Sequence, residues 1–139
     1  MSCIFCKIVA GELPSYKIYE DAIFVAILNR FPATKGSVLL IPKEHVENTF
    51  ELSDETLRKI LPLAKKIAEK IFDALNCDGI NFLQNNGKAA GQEIFHYHLH
   101  IIPRFEEDNV KISCPPTDPS PAEFEKIQTL LQLRAEKIN

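Results

Sequence analysis

The sequence predicts an α+β domain, with an antiparallel sheet of about five strands, one long helix laid against it and a second helix near the C-terminal end. Three observations support this. Five short runs rich in β-branched and aromatic residues are bounded by turn residues. A single stretch, 53–75, carries apolar residues at three- and four-residue steps. One long helix interrupting a series of strands, rather than several helices alternating with them, suits antiparallel pairing. At 139 residues the chain has the size of one domain, so a single core within 1–139 is expected.

Taken in order, residues 16–28 read as a hairpin: a strand over 16–19, a turn at Glu20 and Asp21, and a strand over 22–28. The apolar run 38–41, closed by Pro42, suits a buried strand. Ser53 is the expected N-cap of the long helix, with Asp54 and Glu55 favourably placed in its first turn. Leu57, Ile60, Leu61, Ala64, Ile67, Ala68, Ile71 and Leu75 form its apolar face, with lysines, arginine and acids opposite. Pro62 interrupts this pattern, because it removes one backbone hydrogen bond and is expected to kink the helix. Strands are expected at 80–84 and 97–102, with the polar loop 85–92 between them. Prolines at 115, 116, 119 and 121 mark an extended connector, after which 122–137 reads as the C-terminal helix.

Composition narrows the function. A net charge of -3 argues against broad electrostatic binding to nucleic acid or acidic membranes. No apolar run approaches the roughly 20 residues of a membrane span, and the residues around Cys3 do not resemble a secretory signal. Cysteines at 3, 6, 77 and 114 in such a chain are expected to be thiols or metal ligands rather than disulfides, and the expected location is cytoplasmic.

The histidines carry the most information. Apart from His45, all of them lie in one stretch, at 96, 98 and 100. On a strand, residues at steps of two share a face about 6.6 Å apart. Tyr97, Leu99 and Ile101 would then face a core. Imidazoles this close repel one another when charged, so some should stay neutral near pH 7, free to act as nucleophile, base or metal ligand. Two alternatives stand beside catalysis, a polar solvent-facing surface and a shared metal ion.

The stretch His96-Tyr97-His98-Leu99-His100-Ile101-Ile102 resembles the H-φ-H-φ-H-φ-φ motif of the histidine-triad (HIT) family of nucleotide hydrolases and transferases. The resemblance extends to the opening CIFCKIVAGELPS, to LNRFPATKGSVLLIPKEHV, to the loop NNGKAAGQ, and to Pro103-Arg104 after the triad. It implies the HIT-like fold and a hydrolase of the adenosine 5'-monophosphoramidase or dinucleoside polyphosphate hydrolase kind. In that family the middle histidine, here His98, attacks the α-phosphorus of a purine nucleotide. A nucleotidyl-histidine forms, and water resolves it to a nucleoside monophosphate. His100 would bond near the α-phosphate or leaving group.

By the same resemblance the loop before the triad binds phosphate. Gly87 and Gly91 would let backbone N–H groups approach an anion, with Asn85 and Gln92 as polar contacts. Asn29 matches the position that bonds the ribose hydroxyls. Glu93 stands where many relatives carry Ser or Thr against the phosphate, so either only its backbone N–H serves there or the substrate differs. Ser37 stands where many relatives place another active-site histidine. Relatives with the CIFC opening resemble zinc-binding members, which implies Cys3, Cys6, His45 and His96 as ligands of a structural Zn²⁺. Inert thiols and a redox pair are the competing accounts of the CxxC. Relatives also form two-fold dimers, so a homodimer is expected. The alternatives to an enzyme are a nucleotide-binding regulatory module with vestigial catalysis and a zinc-structured interaction domain.

Overall fold

The central strands of the sheet lack polar alternation because both of their faces are covered. The computed structural model describes residues 3–135. Their elements are α1 (Ile4–Val9), β1 (Lys17–Glu20), β2 (Phe24–Leu28), β3 (Val38–Pro42), α2 (Asp54–Leu75), β4 (Gly79–Leu83), β5 (Leu99–Arg104) and α3 (Pro121–Leu131). The strands form one antiparallel sheet in the order β1-β2-β3-β5-β4. Along β2 and β3, Phe24, Ala26, Val38 and Leu40 face α2. Val25, Ile27, Leu39 and Ile41 face the other way, against Phe5 and Ile8 of α1. Strands buried on both faces read as continuous apolar runs, which is how 24–28 and 38–42 look in the sequence.

α2 starts as expected. Ser53 accepts a hydrogen bond from the Thr56 N–H at 3.2 Å, and Asn76 closes the helix in the left-handed conformation with φ 49°. Pro62 lies inside the helix on its exposed side. The carbonyl it leaves without an N–H partner therefore faces water, and the helix runs through to Leu75. Ile60, Ala64, Ile67, Ala68 and Ile71 are buried as predicted, whereas Leu61 is 59% exposed and lies off the packed stripe.

Several boundaries differ from expectation. Ala22 and Ile23 belong to the turn, because the Asp21 carboxylate accepts from the N–H groups of Ile23 and Phe24 at 2.7 Å each and delays the strand to Phe24. β3 extends through Pro42, and β5 begins at Leu99 rather than at 97. The β3–β5 register pairs Leu40 with Leu99 and would place Pro42 opposite Tyr97. Pro42 has no N–H to give, so the ladder stops and the Tyr97 N–H bonds the Val46 carbonyl at 2.7 Å instead. The C-terminal helix ends at Leu131, with 132–135 non-helical; positions 136–137 of the expected helix lie outside the described residues. Among the described residues no helix is long and apolar enough to cross a membrane.

The packing predicts contrasting costs for two leucines. Leu40, fully buried between α2 and the sheet, should lose about 2–5 kcal/mol on replacement by Ala. Leu61→Ala should stay within about 0.5 kcal/mol of the parent, both measured by urea unfolding.

Candidate active site

The side chains of β5 divide by alternation. Tyr97, Leu99 and Ile101 enter the core under α2, and the histidines fall on the opposite face, beside α1. The three imidazoles nevertheless form two groups rather than one row. His96 lies with His45 and the two N-terminal cysteines, while His98 and His100 open into a cleft. Phe5 packs edge-on against both His96 and His98, with ring centroids 5.8 and 5.1 Å apart. The same CxxC that supplies two thiols therefore supplies the aromatic partition.

That partition depends on a short helix. The Cys3 thiol caps α1 by accepting from the Cys6 N–H at 3.3 Å, which turns both thiols toward the sheet. The Cys3 Sγ lies 3.3 Å from His96 Nδ1, and Cys6 Sγ lies 3.2 Å from His45 Nδ1 and 3.6 Å from His96 Nδ1. The two Nδ1 atoms are 3.2 Å apart, and all four ligand atoms fit within 4.8 Å. A tetrahedral zinc with ordinary Zn–S and Zn–N bonds would have edges of about 3.3–3.8 Å. The donor set therefore matches a metal site in chemistry and in size. His96, fully buried, gives its Nε2–H to the Pro42 carbonyl at 2.8 Å, leaving the Nδ1 lone pair toward the thiols. Burial holds its pKa below the ordinary imidazole value. These four residues could hold a metal ion.

His98 is fixed through its backbone neighbour. Its Nδ1–H donates to the His96 carbonyl at 2.7 Å, so Nε2 carries the lone pair. Burial pushes the His98 pKa down, with the carbonyl bond acting in the opposite sense. His100 sits beside it, ring centroids 5.0 Å apart. Burial first, and the neighbouring His98 second, bring the His100 pKa down to about 4. Burial thus favours the neutral form of both rings, and the mutual repulsion expected from their spacing adds to it only at His100.

They open into a cleft of about 430 Å³, within the usual range for small-molecule sites. Asn29, Gly91 and Glu93 line it, as does Ser37. Asn29 follows β2 and is held by its Oδ1 accepting from the Phe31 N–H at 3.1 Å. Ser37 is buried and donates to the Thr34 carbonyl at 2.8 Å, so its hydroxyl serves the turn before β3.

The loop 85–92 departs from a simple anion cradle. The N–H groups of Ala90, Gly91 and Gln92 bond carbonyls within the loop, and that of Gly87 bonds Gln92 Oε1 at 2.8 Å. Gln92 is buried, and its amide nitrogen donates to the Glu47 and Ile94 carbonyls. It is a brace for the loop rather than a cleft contact. Asn85 likewise braces from behind, donating to the Gly91 carbonyl at 3.3 Å. Gly91 has φ 92°, a conformation that strains any other residue, and a Cβ there would need the Asn85 amide, 3.3 Å away, to give by a few tenths of an ångström. Among the described residues, the Glu93 N–H has no acceptor within the protein, and Glu93 is one of the residues that line the cleft.

Sequence reasoning missed the apolar walls. Phe5 and Phe31 contribute to them, and Val110 and Ile112 come from the segment after β5. Their two-residue spacing, flanking the exposed Lys111, was the available signal for an extended segment with one face against the body.

Comparison with known proteins agrees with this geometry. Residues 10–107 match the HIT domain family. The adenosine 5'-monophosphoramidase hnt1 of Schizosaccharomyces pombe is 44% identical over 128 residues, 91% of this chain and 93% of that protein. The crystal structure of a HIT family member from Bacillus subtilis superposes with a TM-score of 0.88 at 40% identity, covering 98% of this chain and 100% of the other. A Zn-bound histidine triad family protein from Mycobacterium smegmatis gives 0.76 at 40% identity, over 84% and 85% of the two chains. With its sheet order, histidine arrangement and N-terminal cysteines accounted for, the chain belongs to the HIT family and is a hydrolase of it.

Proposed function

We propose that the chain hydrolyses a purine nucleoside phosphoramidate at its α-phosphorus through a covalent nucleotidyl-His98 intermediate, releasing a nucleoside monophosphate such as AMP. The observation that carries this is the 2.7 Å bond from His98 Nδ1 to the His96 carbonyl, which leaves Nε2 as the nucleophilic atom at the cleft. As Nε2 bonds to phosphorus, the P–N bond to the leaving amine breaks, and the amine departs with the electron pair and takes a proton from water. The imidazole becomes cationic in this step, and the His96 carbonyl is placed to stabilise that charge. Water then attacks phosphorus, the Nε2–P bond breaks with its electron pair returning to His98, and the proton that water releases goes to solvent, where it neutralises the hydroxide left by protonation of the amine. Neutral His100 offers an N–H to the phosphate oxygens, together with the Glu93 backbone N–H. Asn29 takes the ribose hydroxyls, while Asn85 and Gln92 support these contacts by holding the loop.

The cleft's charge favours an amine leaving group over a polyphosphate. Among the described residues its lining includes no Lys or Arg, and the carboxylate it does include, Glu93, would repel a polyanion. A dinucleoside polyphosphate is the weaker alternative substrate. The name of the fission-yeast relative points the same way.

We infer further that Cys3, Cys6, His45 and His96 hold Zn²⁺, supported by the close approach of their four ligand atoms and by the Zn-bound relative. Bound there, zinc would pin α1 to the sheet and keep His96 Nδ1 unprotonated. We also propose a homodimer. α3 exposes Phe124, Ile127, Leu130 and Leu131 and has no buried residue, so its apolar side is uncovered among the described residues. Among the described residues none of the four cysteines forms a disulfide, which suits the proposed cytoplasmic setting.

His98→Ala should lower kcat/KM for adenosine 5'-phosphoramidate by at least about 10⁴-fold while AMP binding persists, and wild type should turn over diadenosine polyphosphates more slowly. Steady-state kinetics with calorimetric AMP titration checks this, and undiminished turnover would end the nucleophile assignment. Chelation of the purified protein should release one zinc per chain and lower the melting temperature by at least about 5 °C, leaving His98 reactive. A chain that purifies without metal and is indifferent to chelator would remove the zinc assignment.

A further inference from the structure

β5 ends at Arg104, and the chain must reverse there to bring Val110 and Ile112 back over the cleft. One ion pair holds that reversal. Arg104 donates from Nε to Asp108 Oδ2 at 2.9 Å and from a terminal nitrogen to Asp108 Oδ1 at 2.8 Å. The same Asp108 carboxylate accepts from the Phe105 N–H at 2.8 Å and the Val110 N–H at 3.1 Å. Arg104 also reaches Asn81 on β4 at 2.8 Å and the Val110 carbonyl at 2.7 Å. The Asp108 side chain is only 10% exposed, which separates this bidentate pair from ordinary surface bridges.

Beyond this turn the chain has no regular structure until α3, and α3 itself buries no residue. Among the described residues, then, the wall formed by Val110 and Ile112 has its firmest anchor at Arg104 and Asp108. We infer that Arg104 and Asp108 are positioning residues that hold Val110 and Ile112 as an apolar wall of the cleft, and so set nucleotide affinity without touching the reacting atoms. The wall faces the same space as His98, His100 and Ile102, and its chemistry suits the flat apolar face of a base. This rests on the cleft being the nucleotide site proposed above.

Calorimetric titration with AMP and kinetics with adenosine 5'-phosphoramidate, on wild type, Asp108→Asn, Ile112→Ala and the double variant, test it. Each single variant should raise the AMP Kd and the KM about ten-fold, with kcat within about two-fold, as expected for a wall that must be reordered on binding. The double variant should be no worse than the weaker single, because both changes remove one wall. Ile112 lies in an extended segment and is 45% exposed, so Ile112→Ala keeps the test usable even if Asp108→Asn loses stability. Wild-type affinity in both single variants, additive effects in the double, or a fall in kcat at constant KM would overturn the positioning role alone. Failure of wild type to bind AMP would overturn the nucleotide site and this role with it.

Discussion

The site depends on how His96 is held. Its Nε2–H is committed to the Pro42 carbonyl, its Nδ1 to the thiol cluster, and its own carbonyl to His98 Nδ1. One buried residue thus couples the end of β3, the N-terminal helix and the proposed nucleophile. Rotating that imidazole would unsettle the cluster, and shifting that carbonyl would free the wrong nitrogen of His98. A fully buried histidine with both ring nitrogens and its carbonyl partnered is rigid for a simple reason: each broken bond would strand a polar group away from water.

The rest of the fold maintains this arrangement from two sides. α2 and the core beneath it take one face of the sheet, so Leu99 and Ile101 anchor β5 from behind. α1 takes part of the other face and inserts Phe5 between the two imidazole groups. That division separates the two chemistries open to imidazole: metal ligation next to sulfur, and nucleophilic attack in an apolar cleft. Burial favours the uncharged form of His98 and His100, and among the described residues the cleft lining holds no Lys or Arg to draw in a polyanionic leaving group. In the proposed nucleotide site, affinity would come from apolar contact together with Asn29, His100 and backbone donors, which gives the wall at Val110 and Ile112 its importance.

The sheet and the long helix were legible because their patterns are long or strongly periodic; Ser53 and the 60, 64, 67, 71 stripe are examples. The histidine alternation was legible too, since Tyr97, Leu99 and Ile101 take the opposite face. What the pattern could not reveal was the break at Pro42, which decides that His96 and His98 precede the strand instead of lying on it. α1 is six residues long, too short for a periodic signal, and depends on a cysteine cap. The part played by Gln92 was hidden for another reason. A polar residue in a glycine-bearing loop looks available to a ligand, and only its burial and its three bonds reveal it as a brace. Likewise the Arg104–Asp108 pair reads in sequence as ordinary surface charge, and its low exposure comes from the reversal it creates.

The most direct measurement of the central claim is the tautomer of His98, read from imidazole ¹⁵N shifts near pH 7. The structure requires Nδ1 protonated and Nε2 bare, with the Nδ1 proton shifted by its bond to the His96 carbonyl. A His98 ring protonated at Nε2, or doubly protonated at neutral pH, would contradict the account, because no lone pair would then face the phosphorus.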